Sequence, residues 1–137
     1  MILAGAVLLG CQPTTMAFAK YQTYGFHIAI PTHQENGRED IGRYRGDVGA
    51  KNLWGVNMIR STEKTQPHTA TDFWLELLSG VNVSPSVRAV SGRSWYTQVA
   101  FSTATRKKVY LTAEDNTNNA NGYIVSGRWL PRGAKGL

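Results

Sequence analysis

The stretch 69–80, TATDFWLELLSG, decides the fold class of this chain. Pro67 leads into it, a threonine at 69 or 71 can cap the free amide groups that open a helix, and Asp72 suits the positive end of the helix dipole. Phe73, Trp74, Leu77 and Leu78 supply an apolar stripe, and Gly80 is a natural stop. The reading is one short helix over about 70–79, packed on a sheet.

The segments on either side read as strands. From Gln22 to Ile30 the residues Tyr24, Phe26, Ile28 and Ile30 alternate with Thr23, Gly25, His27 and Ala29, and Pro31 ends the run. Leu53 to Ile59 alternates with Trp54, Val56 and Met58 on one side. Ser94 to Phe101 puts Trp95, Thr97, Val99 and Phe101 on one face. After a turn at 102–106, Lys108 to Ala113 alternates through Val109 and Leu111, so the two segments read as a hairpin. Tyr123 to Trp129 closes the sheet after the loop EDNTNNANG at 114–122. Residues 32–52 are polar and glycine-punctuated and read as a long surface excursion. The expectation is a single α+β domain over 22–130, an antiparallel sheet of about five strands with one helix on a face, followed by a flexible basic tail at 131–137.

The 137 residues carry a formal charge of +6, and every charged residue lies at or beyond Lys20. The uncharged block before it begins with the apolar run Ile2 to Gly10, shorter than the ~20 residues that span a bilayer and of a length that suits a signal peptide. The run ends in Leu8-Leu9-Gly10-Cys11, which resembles the lipobox of bacterial lipoproteins. The resemblance implies a signal peptide over 1–10, lipidation of Cys11 by a diacylglycerol, and an acylated tether over 11–21. Gln12 after the cysteine resembles the outer-membrane default of such lipoproteins, which implies a domain held to the outer membrane and facing the periplasm. A second reading is ordinary secretion after Ala17-Phe18-Ala19, giving a soluble periplasmic or secreted chain. With one cysteine, no internal disulfide is available.

In element order, Tyr24-Gly25-Phe26-His27-Ile28-Ala29-Ile30-Pro31, the strand at Trp54, the central helix, and Arg93-Ser94-Trp95 with Tyr123 resemble the PsbP/Mog1-like fold of DcrB-type lipoproteins. That resemblance implies a binding or assembly role and carries over no site residues.

The motif search is mostly exclusion. No GxGxxG or GxxxxGK[ST] occurs, no histidine among His27, His33 and His68 stands at metal-ligand spacing with another, and Ser91 and Ser126 sit beside glycines without a nucleophile elbow. Nothing calls for a cofactor, a metal or a catalytic constellation. His33 with Glu35, Glu39, Asp40 and Asp47 in the same excursion is the minimum for acid/base work, and polar loops carry such residues by default. Arg38, Arg43, Arg45 and Lys51, and Arg106 to Lys108, form basic clusters suited to anionic lipid or wall surfaces; an exported chain has no nucleic acid to meet. Trp54, Trp74, Trp95 and Trp129 read as core, with Trp129 beside Arg128 as a candidate anchor for a partner. The candidate partner interface is therefore Arg43, Tyr44, Arg45, Arg128 and Trp129.

Three functions follow. The first is a non-enzymatic envelope lipoprotein, joined to the membrane by its anchor and to another envelope protein as an accessory subunit of a secretion, conjugation or transport assembly, or as an immunity or exclusion factor. The second is a small wall-active enzyme using His33 with Glu35 or Glu39. The third is a ligand-binding module with a deep pocket between helix and sheet.

Overall fold

A computed structural model describes residues 22–46, 52–63 and 70–132. Cys11, Asp47, Lys51, His68 and Thr69, the signal peptide and tether, and all of the basic tail beyond Arg132 lie outside the described residues. Two antiparallel sheets make the fold. The first has the order β1 (Tyr24–Ile30), β9 (Tyr123–Leu130), β4 (Leu53–Ser61), β7 (Tyr96–Val99). The second has the order β2 (Gly37–Arg38), β8 (Lys108–Asp115), β5 (Ala70–Glu76), β6 (Val87–Val90), with β3 (Arg43–Tyr44) also pairing with β8.

Alternation builds the core between the sheets. Phe26, Ile28 and Ile30 of β1, Trp54, Val56 and Met58 of β4, and Val125 and Trp129 of β9 face Phe73 and Leu75 of β5 and Val109, Leu111 and Ala113 of β8 in one buried cluster. The rings of Phe26 and Phe73 meet edge to face across the two sheets at 5.6 Å. At the far end Tyr123 of β9 shares its hydroxyl with Thr71 of β5 (2.9 Å) and donates to the buried Asp115 of β8 (3.2 Å). Burial first, and then the charge of Asp115, hold the tyrosine hydroxyl well above its usual pKa against the Thr71 hydrogen bond, which lowers it.

The expected helix over 70–79 is the central strand of the second sheet, and no α-helix occurs among the described residues. The architecture is therefore all-β, not α+β. In β5 the residues Thr71, Phe73 and Leu75 point inward and Asp72, Trp74 and Glu76 outward, with β8 on one side from Thr71↔Asp115 to Glu76↔Tyr110 and β6 on the other. The features taken as caps have other partners. Thr71 bonds Tyr123, Asp72 takes two bonds from Arg88, and Gly80 adopts φ +90° in the turn after β5. A run this short and this apolar suits a helix or a strand equally well, and pairing to residues forty positions downstream decides between them.

Two further expectations change. Segments 94–101 and 108–113 do not form a hairpin: β7 pairs with β4 in the first sheet while β8 pairs in the second, and a single 3-10 turn at Ser102–Ala104 carries the chain between them. The face that carries Val99 and Phe101 is turned to solvent, with both exposed and Ala100 buried. The excursion 32–52 is not wholly surface, since β2 and β3 add to β8 and Gly37 is buried where the sheets meet. A Cβ on Gly37 would stand 2.2 Å from the Ala29 carbonyl oxygen, so only glycine permits that approach. The central helix that the PsbP/Mog1 resemblance relied on is this same β5.

Candidate functional site

The outward residues of β5 and β8 line one wall of an open cleft of about 410 Å³, bounded by Asp72, Trp74, Asn82, Ser84, Pro85, Ser86, Phe101 and Glu114. Strand parity creates it: Asp72 and Trp74 face outward because Thr71 and Phe73 face the core. The opposite wall is 82–86, held against β5 by the Val83 amide on the Leu75 carbonyl (2.9 Å) and by the Leu75 amide donating to Ser84 Oγ (2.9 Å). Phe101 is fixed by its amide on the Val83 carbonyl (2.9 Å), yet its ring stays 45% exposed.

Asp72 and Glu114 stand opposite each other in the β5–β8 register, an arrangement that repels. Arg88 of β6 answers one of them, donating to both Asp72 oxygens at 2.9 and 3.1 Å. The Glu114 carboxyl is pushed above its ordinary pKa by burial, then by Asp72 and Asp115. Beyond Trp74, whose indole donates to Glu76 (2.8 Å), the same face continues through Arg38, which lies 4.8 Å over the Tyr110 ring and 3.6 Å from Glu76. The cleft thus joins an exposed aromatic ring to two carboxylates on a chain of positive net charge.

The residues proposed from sequence separate. Arg45 is fully buried, its guanidinium donating to the carbonyls of Pro131 (2.5 Å), Asn52 (3.4 Å) and Leu53 (3.1 Å) and to Asn52 Oδ1 (2.6 Å). Burial, and then Arg132, lower its pKa to about 10. Trp129 is core, at 1% exposure. Tyr44 is exposed, Arg43 lies 3.9 Å over the Tyr24 ring, and Arg128 is exposed and donates to Thr23. His33 and Glu39 do not converge. His33 Nδ1 lies 3.1 Å from Asn118 Oδ1, while Glu39 accepts the His27 amide (2.9 Å) at the open edge of β1.

Sequence reasoning missed Asp72, Trp74, Phe101 and Glu114 as neighbours. The available signal was parity: once β5 is a strand, Asp72 and Trp74 must share its outer face. Among the described residues no three His, Cys, Asp or Glu side chains come together as a metal site, and no helix is long and apolar enough to cross a membrane.

A family model described as "Protein of unknown function (DUF2712)" matches residues 13–132. No curated protein and no solved structure matches the chain.

Proposed function

The chain belongs to the DUF2712 family, and on that premise we propose that it is a non-enzymatic cell-envelope lipoprotein, anchored through Cys11, that docks a partner protein in the cleft of its second sheet. The observation that carries the docking is the Asp72–Glu114 pair. Like charges placed opposite each other across two strands cost stability, and they stand here in an open cleft beside the exposed ring of Phe101. A partner segment presenting one basic and one apolar side chain would relieve the repulsion and cover the ring. The anchor draws support from the Leu8-Leu9-Gly10-Cys11 pattern.

The test is in-cell crosslinking followed by purification of the wild type and of the Asp72→Asn, Glu114→Gln double variant. The double variant should lose the partner recovered with the wild type while melting no lower. Undiminished recovery would remove the cleft from the interface. Intact mass of the membrane-recovered chain tests the anchor separately: a diacylglycerol on Cys11 supports it, and a soluble chain starting at Lys20 sinks it.

A second reading, a wall-active hydrolase, draws on the same pair, since a carboxyl whose pKa is raised by burial beside one fixed by Arg88 is an acid/base arrangement. Cleavage of wall polymer by the wild type and not by Glu114→Gln would favour it.

A further inference from the structure

We propose that the end of the sandwich where β1 begins is a docking surface for an anionic phospholipid bilayer. Several cations converge there. Arg43 lies over the Tyr24 ring, Arg128 bonds Thr23 through its carbonyl (3.1 Å) and hydroxyl (2.7 Å), and Tyr44 pairs with Lys108 in the β3–β8 register. The Arg45 amide donates to the Lys107 carbonyl (2.9 Å), and Arg132 is near enough to Arg45 to depress its pKa. Arg43 Nε and Arg132 Nε are buried without a hydrogen-bond partner among the described residues.

Of the described carboxylates, Glu39 and Asp40 precede Ile41, and Glu76, opposite Tyr110, is paired with Arg38; the others lie at the far end. Strand β8 runs from Lys107-Lys108 at this end to Glu114-Asp115 at the other, where Asp72 also lies, and the ion pairs Arg88–Asp72 and Arg38–Glu76 involve none of the cations named above. The intervening 47–51 adds no net charge in sequence, Asp47 offsetting Lys51. Exposed Ile41 and Tyr44 stand among the cations. Cations mixed with tyrosine and an aliphatic side chain suit the headgroup boundary of an anionic leaflet.

The choice of a membrane over another polyanion comes from where the described chain starts. Thr23 and Tyr24 are held by Arg128 and Arg43, and residues 12–21 separate Cys11 from Gln22, a span of at most about 40 Å when extended. An acyl group on Cys11 therefore joins the domain at this end, the one nearest its tether. That orientation rests on the anchored reading; the charge argument does not.

The test uses the full chain carrying Cys11→Ser, so that acylation cannot contribute, in flotation with vesicles of phosphatidylcholine alone or mixed with phosphatidylglycerol. Lys107→Gln with Lys108→Gln is compared against Arg60→Gln with Arg93→Gln, which removes the same charge from exposed positions elsewhere. Each cation near an anionic surface strengthens binding by about fivefold, so the first double should weaken binding to the mixed vesicles by about thirtyfold and the second by far less. The apolar segment 2–10 is common to every arm. Equal losses from the two doubles, or equal binding to neutral and mixed vesicles, overturn the proposal, as does binding of soluble polyphosphate as tight as that of vesicles. Failure of the anchored reading shows instead in the mass of the unmutated chain.

Discussion

Tyr44 and Arg45 are neighbours in sequence with opposite destinations. Tyr44 is 63% exposed, whereas Arg45 closes four hydrogen bonds on the chain at 52–53 and 131 without a carboxylate partner among the described residues. Replacing Arg45 by Met strands buried carbonyls and should cost about 2–4 kcal/mol, visible as a large drop in the urea midpoint. Tyr44→Ser should cost less than about 0.5 kcal/mol in the same measurement. Glu114 offers a contrast in sign. Its carboxyl is protonated more readily in the fold than in the unfolded chain, so between its ordinary pKa and its raised one the native state binds more protons and stability falls as pH rises. Glu114→Gln should therefore stabilise the protein at pH 7, by about 0.5 kcal/mol from the relieved cross-strand repulsion, and the gain should vanish near pH 4 in thermal melts. None of this was legible residue by residue: Arg43, Tyr44 and Arg45 look alike as a basic surface triplet until β3 and β8 assign them sides.

At the scale of elements, β5 separates two readings by experiment. A helix over 70–79 would give Phe73 and Leu78 equal weight on one apolar stripe. In the strand Phe73 is fully buried and Leu78 is 69% exposed beyond its end. Phe73→Ala should cost about 3–5 kcal/mol and Leu78→Ser less than about 0.5 kcal/mol, compared by chemical denaturation. Gly127 makes the same point for β9. A Cβ there would stand 2.0 Å from the Asn57 carbonyl oxygen, beside the register shift between Met58 and Arg60 in β4. Gly127→Ala must therefore part the two central strands of the first sheet. β1 and β4 were legible because a clean alternation over seven or more residues has a single interpretation. β5 and the pairing of β7 were not, because helix caps and hairpin turns are local signals and both elements are held by distant partners.

Across the whole molecule Arg43, Arg45, Lys107, Lys108, Arg128 and Arg132 lie toward one end and Asp72, Glu114 and Asp115 toward the other, with Asp40 and the Arg38–Glu76 pair on the basic side and Arg88 on the acidic one. Cations crowded at one end repel one another, and Arg132 accordingly adds to burial in lowering the pKa of Arg45. Added salt screens that repulsion, so the melting temperature should rise by about 2 °C between about 0.02 and 0.5 M sodium chloride, followed by circular dichroism. With one cysteine in the chain, the folded part relies on its packed core instead of a crosslink.

The sequence by itself determined the extended segments read at 22–30, 53–59 and 123–129, its excess of positive charge and the apolar block that precedes Lys20, all of them properties of neighbouring residues. Only the tertiary structure decided that 70–76 is a strand, that there are two sheets, that Arg45 and Trp129 face inward, and that Asp72 meets Glu114 beside Phe101. Each of those outcomes depends on hydrogen bonds and contacts between residues far apart in the chain, and local periodicity carries no information about register.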